Sequence, residues 1–289
     1  KKHKNYKLIK GNICNYNFLN KILDKKIDCI VNFAAQTHVD RSIDFPKDFV
    51  KNNILGTFNL LEIIRKKKLD PVFVQISTDK AVNPTNVMGA SKRMAECFCQ
   101  ALDALESKTR FITVRFGNVL GSTGSVVELF RKQISDGGPV TVTDPKMKRY
   151  FMTVRESVEL VLAASAFGNT HRKQAGKIYV LDMGEPVLIL DLAKQMIRLA
   201  GYIPNEDITI VYTGLRPGEK LFEEIFHDSE EHNKISQSGI FLAAPRINDL
   251  DVVRSEIETL EHAINTNDIE TAKKVIFNLV PEYNSQHQS

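Results

Sequence analysis

Residues 77–92 read STDKAVNPTNVMGASK and bring several reactive groups close together along the chain. Ser77 and Thr78 carry hydroxyls, Asp79 a carboxyl, and Lys80 and Lys92 amines. Such a set can move protons: a carboxylic acid donates one and a neutral amine accepts one. The condition on the amine is severe, because lysine titrates at about 10.4 in water. Desolvation, or a cation such as Lys92, must lower the value of Lys80, and burial must keep Asp79 protonated. Without that setting Asp79 and Lys80 are an ordinary exposed ion pair in a loop. Met88 and Lys92 stand at i and i+4, on one face of a helix. Methionine has no ionisable proton, so Met88 cannot serve as a base.

The elements that must position these groups are legible on both sides. YKLIKG (6–11) reads as a strand, 16–26 as a helix, DCIVNFAA (28–35) as an apolar strand and 47–68 as a long helix. PVFVQIST (71–78) is a strand, 86–106 a helix and RFITVRFGN (110–118) a strand. Helices follow over 124–138, 155–168 and 188–201, with a strand over 176–184, then short strands and helices and a polar tail at 284–289 that is expected to fray. Continuous apolar strands alternating with amphipathic helices predict an α/β fold, a doubly wound parallel sheet with helices on both faces. Asp79 and Lys80 then lie just beyond a strand's C-terminal end, where ligands meet such a sheet.

A dinucleotide-binding sheet opens with strand, GxGxxG and helix, and no GxGxxG occurs here. The first strand reads like the third of such a sheet. The expectation is that roughly 50 to 60 residues lie upstream. The chain has no initiator methionine and reads as a fragment.

Bulk composition excludes several classes. The chain has 289 residues, 43% hydrophobic and 26% charged, with a net charge of +4. That is enough for one large domain or two coupled ones. The weak positive field suits a small anionic substrate, and without a basic stripe with interleaved aromatics it does not suit nucleic acid. No apolar run reaches about 18 residues, so no membrane span is expected in this chain, nor a signal peptide. Cys14, Cys29, Cys97 and Cys99 form no CxxC pair and have no histidine at zinc spacing, so free thiols, no metal and a cytoplasmic setting are expected.

Three motifs together carry a family resemblance. STDKAVNPTNVMGASKR (77–93), VRFGNVLGSTGSVVELFRKQISDGGPVTVTDPKMKRYFMTV (114–154) and TGLRPGEKLFEEI (213–225) resemble nucleotide-sugar 4,6-dehydratases of capsule, O-antigen and glycan biosynthesis. These are extended short-chain dehydrogenase/reductases acting on UDP-N-acetylglucosamine. The resemblance covers about residues 6 to 284. NFAAQTHVDRSID (32–44) looks more like the dTDP-glucose branch, which blurs the substrate but not the reaction.

The resemblance implies a Rossmann-like unit over 1–122, incomplete at its N-terminus and rejoined by 154–182, with a smaller C-terminal α/β substrate domain from 123–153 and 183–289. It implies NAD rather than NADP, a UDP-sugar substrate and a homo-oligomer. It leaves open a parent protein anchored on the cytoplasmic side of a membrane. The implied reaction removes water across carbons 5 and 6 of a hexose, leaving a 4-keto-6-deoxy sugar. Bound NAD takes a hydride from carbon 4 and returns it to carbon 6.

In that comparison Asp79 is the acid for the departing hydroxyl, Lys80 the base at carbon 5, and Thr78 bonds the carbon 4 hydroxyl. Lys92 holds the nicotinamide ribose, beside Ser77. Met88 stands where many relatives place a tyrosine, as in some capsule-type dehydratases. Which group replaces that tyrosine, and whether carbon 5 is retained or inverted, stay open. Asn32, Phe33, Ala34 and Ala35 resemble a strand end along the cofactor. Phe116 and Gly117 resemble further cofactor contacts, Asn12 an adenine contact, and Asn53 a support for the central strands. Asn118, Arg149, Arg216 and Glu219 resemble substrate ligands, arginine's planar fork suiting a diphosphate. His38 either faces the sugar or is structural. A UDP-sugar 4-epimerase and a non-catalytic remnant remain alternatives. The chain alone is expected to bind NAD poorly without its glycine-rich loop.

Overall fold

The computed structural model describes residues 5–105, 108–122, 124–227, 230–235 and 239–283. The polar tail expected to fray, 284–289, lies outside the described residues. Twelve strands occur among them. They are β1 (Cys29–Asn32), β2 (Val72–Thr78), β3 (Arg110–Phe116), β4 (Asn118–Val119), β5 (Val140–Val142), β6 (Lys148–Arg149), β7 (Phe151–Met152), β8 (Ile178–Leu181), β9 (Val187–Leu188), β10 (Ile210–Tyr212), β11 (Glu231–Ile235) and β12 (Ile240–Ala244). Ten α-helices accompany them: α1 (Tyr16–Ile22), α2 (Val39–Asp44), α3 (Pro46–Phe49), α4 (Gly56–Lys66), α5 (Val87–Ala104), α6 (Val126–Ser135), α7 (Val154–Thr170), α8 (Ile189–Leu199), α9 (Leu250–Thr266) and α10 (Ile269–Leu279).

The main sheet runs β1-β2-β3-β8-β12-β11. Its first four strands are parallel, and β12 and β11 add antiparallel. The expected parallel α/β sheet is present, with an antiparallel edge that the sequence reading did not foresee. Mixed edges of this kind are common on otherwise parallel sheets. Side chains alternate between two cores, as the pleat requires. Phe73 and Phe111 face a core shared with α4, α5, α9 and α10. Val74, Ile112 and Val114 face one shared with Val161 and Ala164 of α7. A separate small core joins α6, β5, α8 and β10 through Phe130, Val140, Ile197 and Ile210.

Several expectations are corrected. Residues 6–11 form no strand: Tyr6 and Leu8 are exposed, and among the described residues no strand pairs with them. The strand expected over 28–35 ends at Asn32. The single helix expected over 47–68 is α3, a π-helical stretch (Val50–Leu55) and α4. The wide turn presents Asn53 to its surroundings, an arrangement frequent at functional sites. Asn53 Nδ2 donates to Gln36 O (3.0 Å) and Ser91 Oγ (2.9 Å), and its Oδ1 accepts from Gln36 N (2.7 Å). It therefore ties the loop after β1 to α5.

The sequence reading placed all of 183–289 in the second unit, yet β11 and β12 extend the main sheet and α9 and α10 join its core. The C-terminal apolar positions, Leu260, Val275 and Leu279 among them, find their complement on α5, of which the middle is buried on every side. No helix among the described residues is long and apolar enough to cross a membrane.

Candidate active site

Strand β2 lies between β1 and β3, and its C-terminal end delivers Ser77 and Thr78. The chain then turns through one 3-10 turn, Asp79–Ala81, capped by Thr78. Thr78 Oγ1 donates to Asp79 Oδ1 (2.9 Å) and accepts from Lys80 N (3.4 Å). Lys80 Nζ donates to the same carboxylate oxygen at 3.0 Å. Asp79 is fully buried, and its Oδ2 has no hydrogen-bond partner among the described residues. Thus the three adjacent residues fold onto one another instead of into solvent.

Helix α5 faces this turn. Asn86 caps it, accepting from Gly89 N at 2.9 Å. Gly89 lies directly against the turn: a Cβ there would sit 2.2 Å from the Lys80 carbonyl oxygen. Gly89→Ala is therefore expected to push the turn away from the helix. Overpacking of this kind costs about 1–3 kcal/mol. Denaturant unfolding reads that loss, and a variant as stable as the parent would contradict the packing.

Lys92 is buried and donates to the Ile76 carbonyl. Burial pulls its amine down to about 8, against the opposing pull of Glu96. Lys80 behaves in the opposite way. Burial alone would lower it, but the carboxylates of Asp79 and Glu223 outweigh burial and hold it above the usual lysine value. The expectation of a Lys80 lowered by burial or by Lys92 is corrected on this point. Two carboxylates, 3.0 and 3.4 Å away, determine the sign.

A cavity of about 690 Å³ opens over this set. Thr78, Lys80, Met88 and Lys92 line it, with Ser77, Phe116, Gly117 and Asn118 at the strand ends. Arg149, Arg216 and Glu219 also line it, as do Phe33, Ala35 and His38. Asn118 Nδ2 donates to Tyr150 O at 3.0 Å. Arg149 is buried between the backbone carbonyls of Lys148, Lys220 and Leu221. Arg216 reaches across the mouth to the Asp40 carboxylate. The loop carrying Arg216 and Glu219 is anchored at Gly218, whose carbonyl accepts from Thr85 Oγ1 (2.8 Å) and Asn86 Nδ2 (2.9 Å). Gly218 has φ +72°, which favours glycine.

Asp79, buried behind its neighbours, and four further expected site residues are not brought to the cavity wall. Asn12 sits in an exposed turn, bonding Cys14 N. Asn32 is buried and turned inward, donating to Thr57 and Gln75. Ala34 is bonded back to Asn32, and Asn53 supports the loop as described. The side-chain amides of Asn12, Asn32 and Asn53 are taken up by these local hydrogen bonds. Glu223 was missed. Its Oε1 lies 3.4 Å from Lys80 Nζ and 3.5 Å from Arg149 Nε. It stands inside the quoted motif TGLRPGEKLFEEI, the only signal that could have found it. No group of three or more metal-ligating side chains exists among the described residues.

Residues 1–245 match the family described as "Polysaccharide biosynthesis protein". The chain is 53% identical over 203 residues to the capsular polysaccharide biosynthesis protein CapD of Staphylococcus aureus, covering 70% of this chain and 33% of that protein. It is 34% identical over 237 residues to a UDP-glucose 4-epimerase of Rickettsia bellii, covering 81% of this chain and 66% of the relative. Among solved structures it resembles Pen from Bacillus thuringiensis, with 31% identity, a TM-score of 0.69, and coverage of 84% of this chain and 71% of that one. It thus spans about a third of the length of CapD. With its family match running through both the Thr78–Lys80 turn and the Arg149 strand, the chain belongs to the polysaccharide biosynthesis protein family.

Proposed function

We propose that this chain carries the active site of an NAD-dependent hydro-lyase. It would convert a UDP-hexosamine, UDP-N-acetylglucosamine above all, to a 4-keto-6-deoxy sugar for surface glycan synthesis. The observation that carries this reading is the folded turn Thr78–Asp79–Lys80. It sets a carboxyl and an amine 3.0 Å apart under a cavity large enough for a sugar nucleotide.

The shared hydrogen bond answers the demand for a neutral amine. Moving its proton from Lys80 to Asp79 gives an amine that can take the carbon 5 proton and a carboxylic acid that can protonate the leaving hydroxyl. No proton need come from solvent. The proton arrives on Asp79 Oδ1, the oxygen that Lys80 already bonds, and Oδ2 keeps no hydrogen-bond partner among the described residues. Thr78 orients the carboxyl, and Arg149 and Arg216, which line the same cavity, carry the planar fork that suits a diphosphate.

The cofactor fits in part. Ser77, Lys92, Phe116 and Gly117 wall the cavity at the strand ends, and a Cβ at Gly117 would come within 2.9 Å of both Asp79 Oδ2 and Met183 Sδ. Those residues would hold the nicotinamide end. When bound, NAD supplies the reversible oxidation at carbon 4 that makes the carbon 5 proton acidic. In this reading the sheet unit holds the cofactor and the smaller unit the nucleotide.

The R. bellii relative favours a second reading, 4-epimerisation, which shares the oxidation and needs no elimination. Proton NMR of full-length protein incubated with UDP-N-acetylglucosamine separates the two. A new carbon 6 methyl doublet is expected. A 4-inverted hexosamine with no methyl signal would replace the dehydratase reading by the epimerase one.

A further inference from the structure

Glu223 is the residue on the cavity wall to which neither motif spacing nor the proposed reaction gives a task. Its side chain is 4% exposed, and it approaches two cations from the loop that follows Gly218. On one side is Lys80 Nζ at 3.4 Å, on the other Arg149 Nε at 3.5 Å. Its second oxygen, Oε2, is buried without a hydrogen-bond partner among the described residues. A carboxylate in that place is costly unless it holds charges in position.

We propose that Glu223 is a positioning residue that clamps the Lys80 amine in its charged resting form and ties it to Arg149 on the nucleotide side. The inference rests on the reading of Lys80 as the base. Two carboxylates and one amine share a single proton balance. Asp79 and Glu223 both favour the ammonium form, and Arg149 opposes it. Only Asp79 can accept the proton and still act as the acid. Glu223 therefore decides how readily the Lys80–Asp79 pair passes to its neutral form. Arg149, drawn to Glu223 and Glu219 together, weakens that hold in proportion to its closeness.

Other charges around Lys80 are accounted for. Lys92 faces the cavity from α5, with its amine on the Ile76 carbonyl. Lys220 is bound to Val82 O (2.9 Å) and Glu224 (3.3 Å). Tyr150 lies near Asp79 and Glu185, and burial raises its phenol further. His38 lines the cavity from the start of α2. None of these supplies a second carboxylate to Lys80.

The test is competitive labelling of the amines of the full chain with acetic anhydride, read at Lys80 by peptide mass spectrometry across pH. Removing a carboxylate removes one support of the charged amine. In Glu223→Gln the labelling midpoint at Lys80 is expected to fall by about one pH unit, the usual effect of one charge at this distance. Glu223→Asp, which keeps the charge, should lie between the two. Glu224→Gln, whose carboxyl meets Lys220 and Asn83 instead, should leave the midpoint in place. In turnover the falling limb of the kcat/KM profile, where the shared proton is lost, should move to lower pH by the same amount in Glu223→Gln. An unmoved midpoint in both Glu223 variants overturns the clamp. A shifted midpoint with no turnover of UDP-N-acetylglucosamine by the parent leaves the clamp standing and removes the dehydratase reading.

Discussion

Replacing Lys80 with methionine in the full-length protein is expected to lower turnover of UDP-N-acetylglucosamine by about 10²–10⁴-fold, the usual contribution of a positioned proton-transfer group. Methionine keeps most of the stem and removes the amine that the proposed reaction uses as its base at carbon 5. Asp79→Asn should produce a loss of similar size for the complementary reason. Its amide can still bond Thr78 Oγ1 but cannot deliver a proton to a leaving hydroxyl. In both variants the loss belongs in kcat. Asp79 is fully buried behind Thr78 and Lys80 and does not itself line the cavity, so Asp79→Asn should change substrate binding little, and methionine at position 80 keeps the stem that lines it. Steady-state kinetics, with circular dichroism as a check on folding, measures both. Retention of more than about a tenth of the activity in either variant would remove that residue from the chemistry. A 4-epimerase would behave differently, because inversion at carbon 4 uses neither group, and both variants would keep that reaction.

The second large effect concerns stability. Arg115, on β3, is 1% exposed and bonds both oxygens of Glu96 at 2.8 Å. It also reaches both oxygens of Glu230 at 3.1 Å. Arg93 joins the group, 3.1 Å from Glu96 and 3.0 Å from Glu282. This cluster links α5, β3 and the C-terminal segment under the site helix. Arg115→Met removes the charge that compensates Glu96 and is expected to cost about 3–5 kcal/mol, as breaking a buried pair from one side generally does. Denaturant unfolding measures it, and a loss below about 1 kcal/mol would show the cluster to be energetically idle.

The pH dependence has a definite sign. Burial pushes the Glu96 carboxyl up, but Arg115 and Arg93 outweigh it and hold it below the usual carboxylate range. A carboxyl lowered on folding contributes stability that is fully present above its unfolded value of about 4.3 and is lost as pH falls through its folded value. The parent should therefore shed this contribution in acid. Arg115→Met has already lost it, so the gap between the two proteins should narrow below about pH 4.

The chain order of residues was enough to locate the sheet and the reactive turn. Val72–Thr78, Arg110–Phe116 and Ile178–Leu181 are apolar runs, and a strand buried on both faces has little alternative. Thr78, Asp79 and Lys80 are neighbours in sequence, so their meeting at a strand end is local. The pairing Lys92 with Met88 is equally local, being one turn of one helix. Tertiary structure decided what depends on groups far apart in the chain. Lys80 is raised by Asp79 beside it and then by Glu223, 143 positions away, where burial alone would have lowered it. Whether Asn32 faces a ligand or the core rests on Gln75, a register partner on the next strand. The C-terminal helices joined the sheet unit because their apolar faces match α5, a complement that only the folded chain presents. Periodicity and adjacency act within a few residues, whereas a charge responds to every neighbour within several ångströms, whatever its place in the chain.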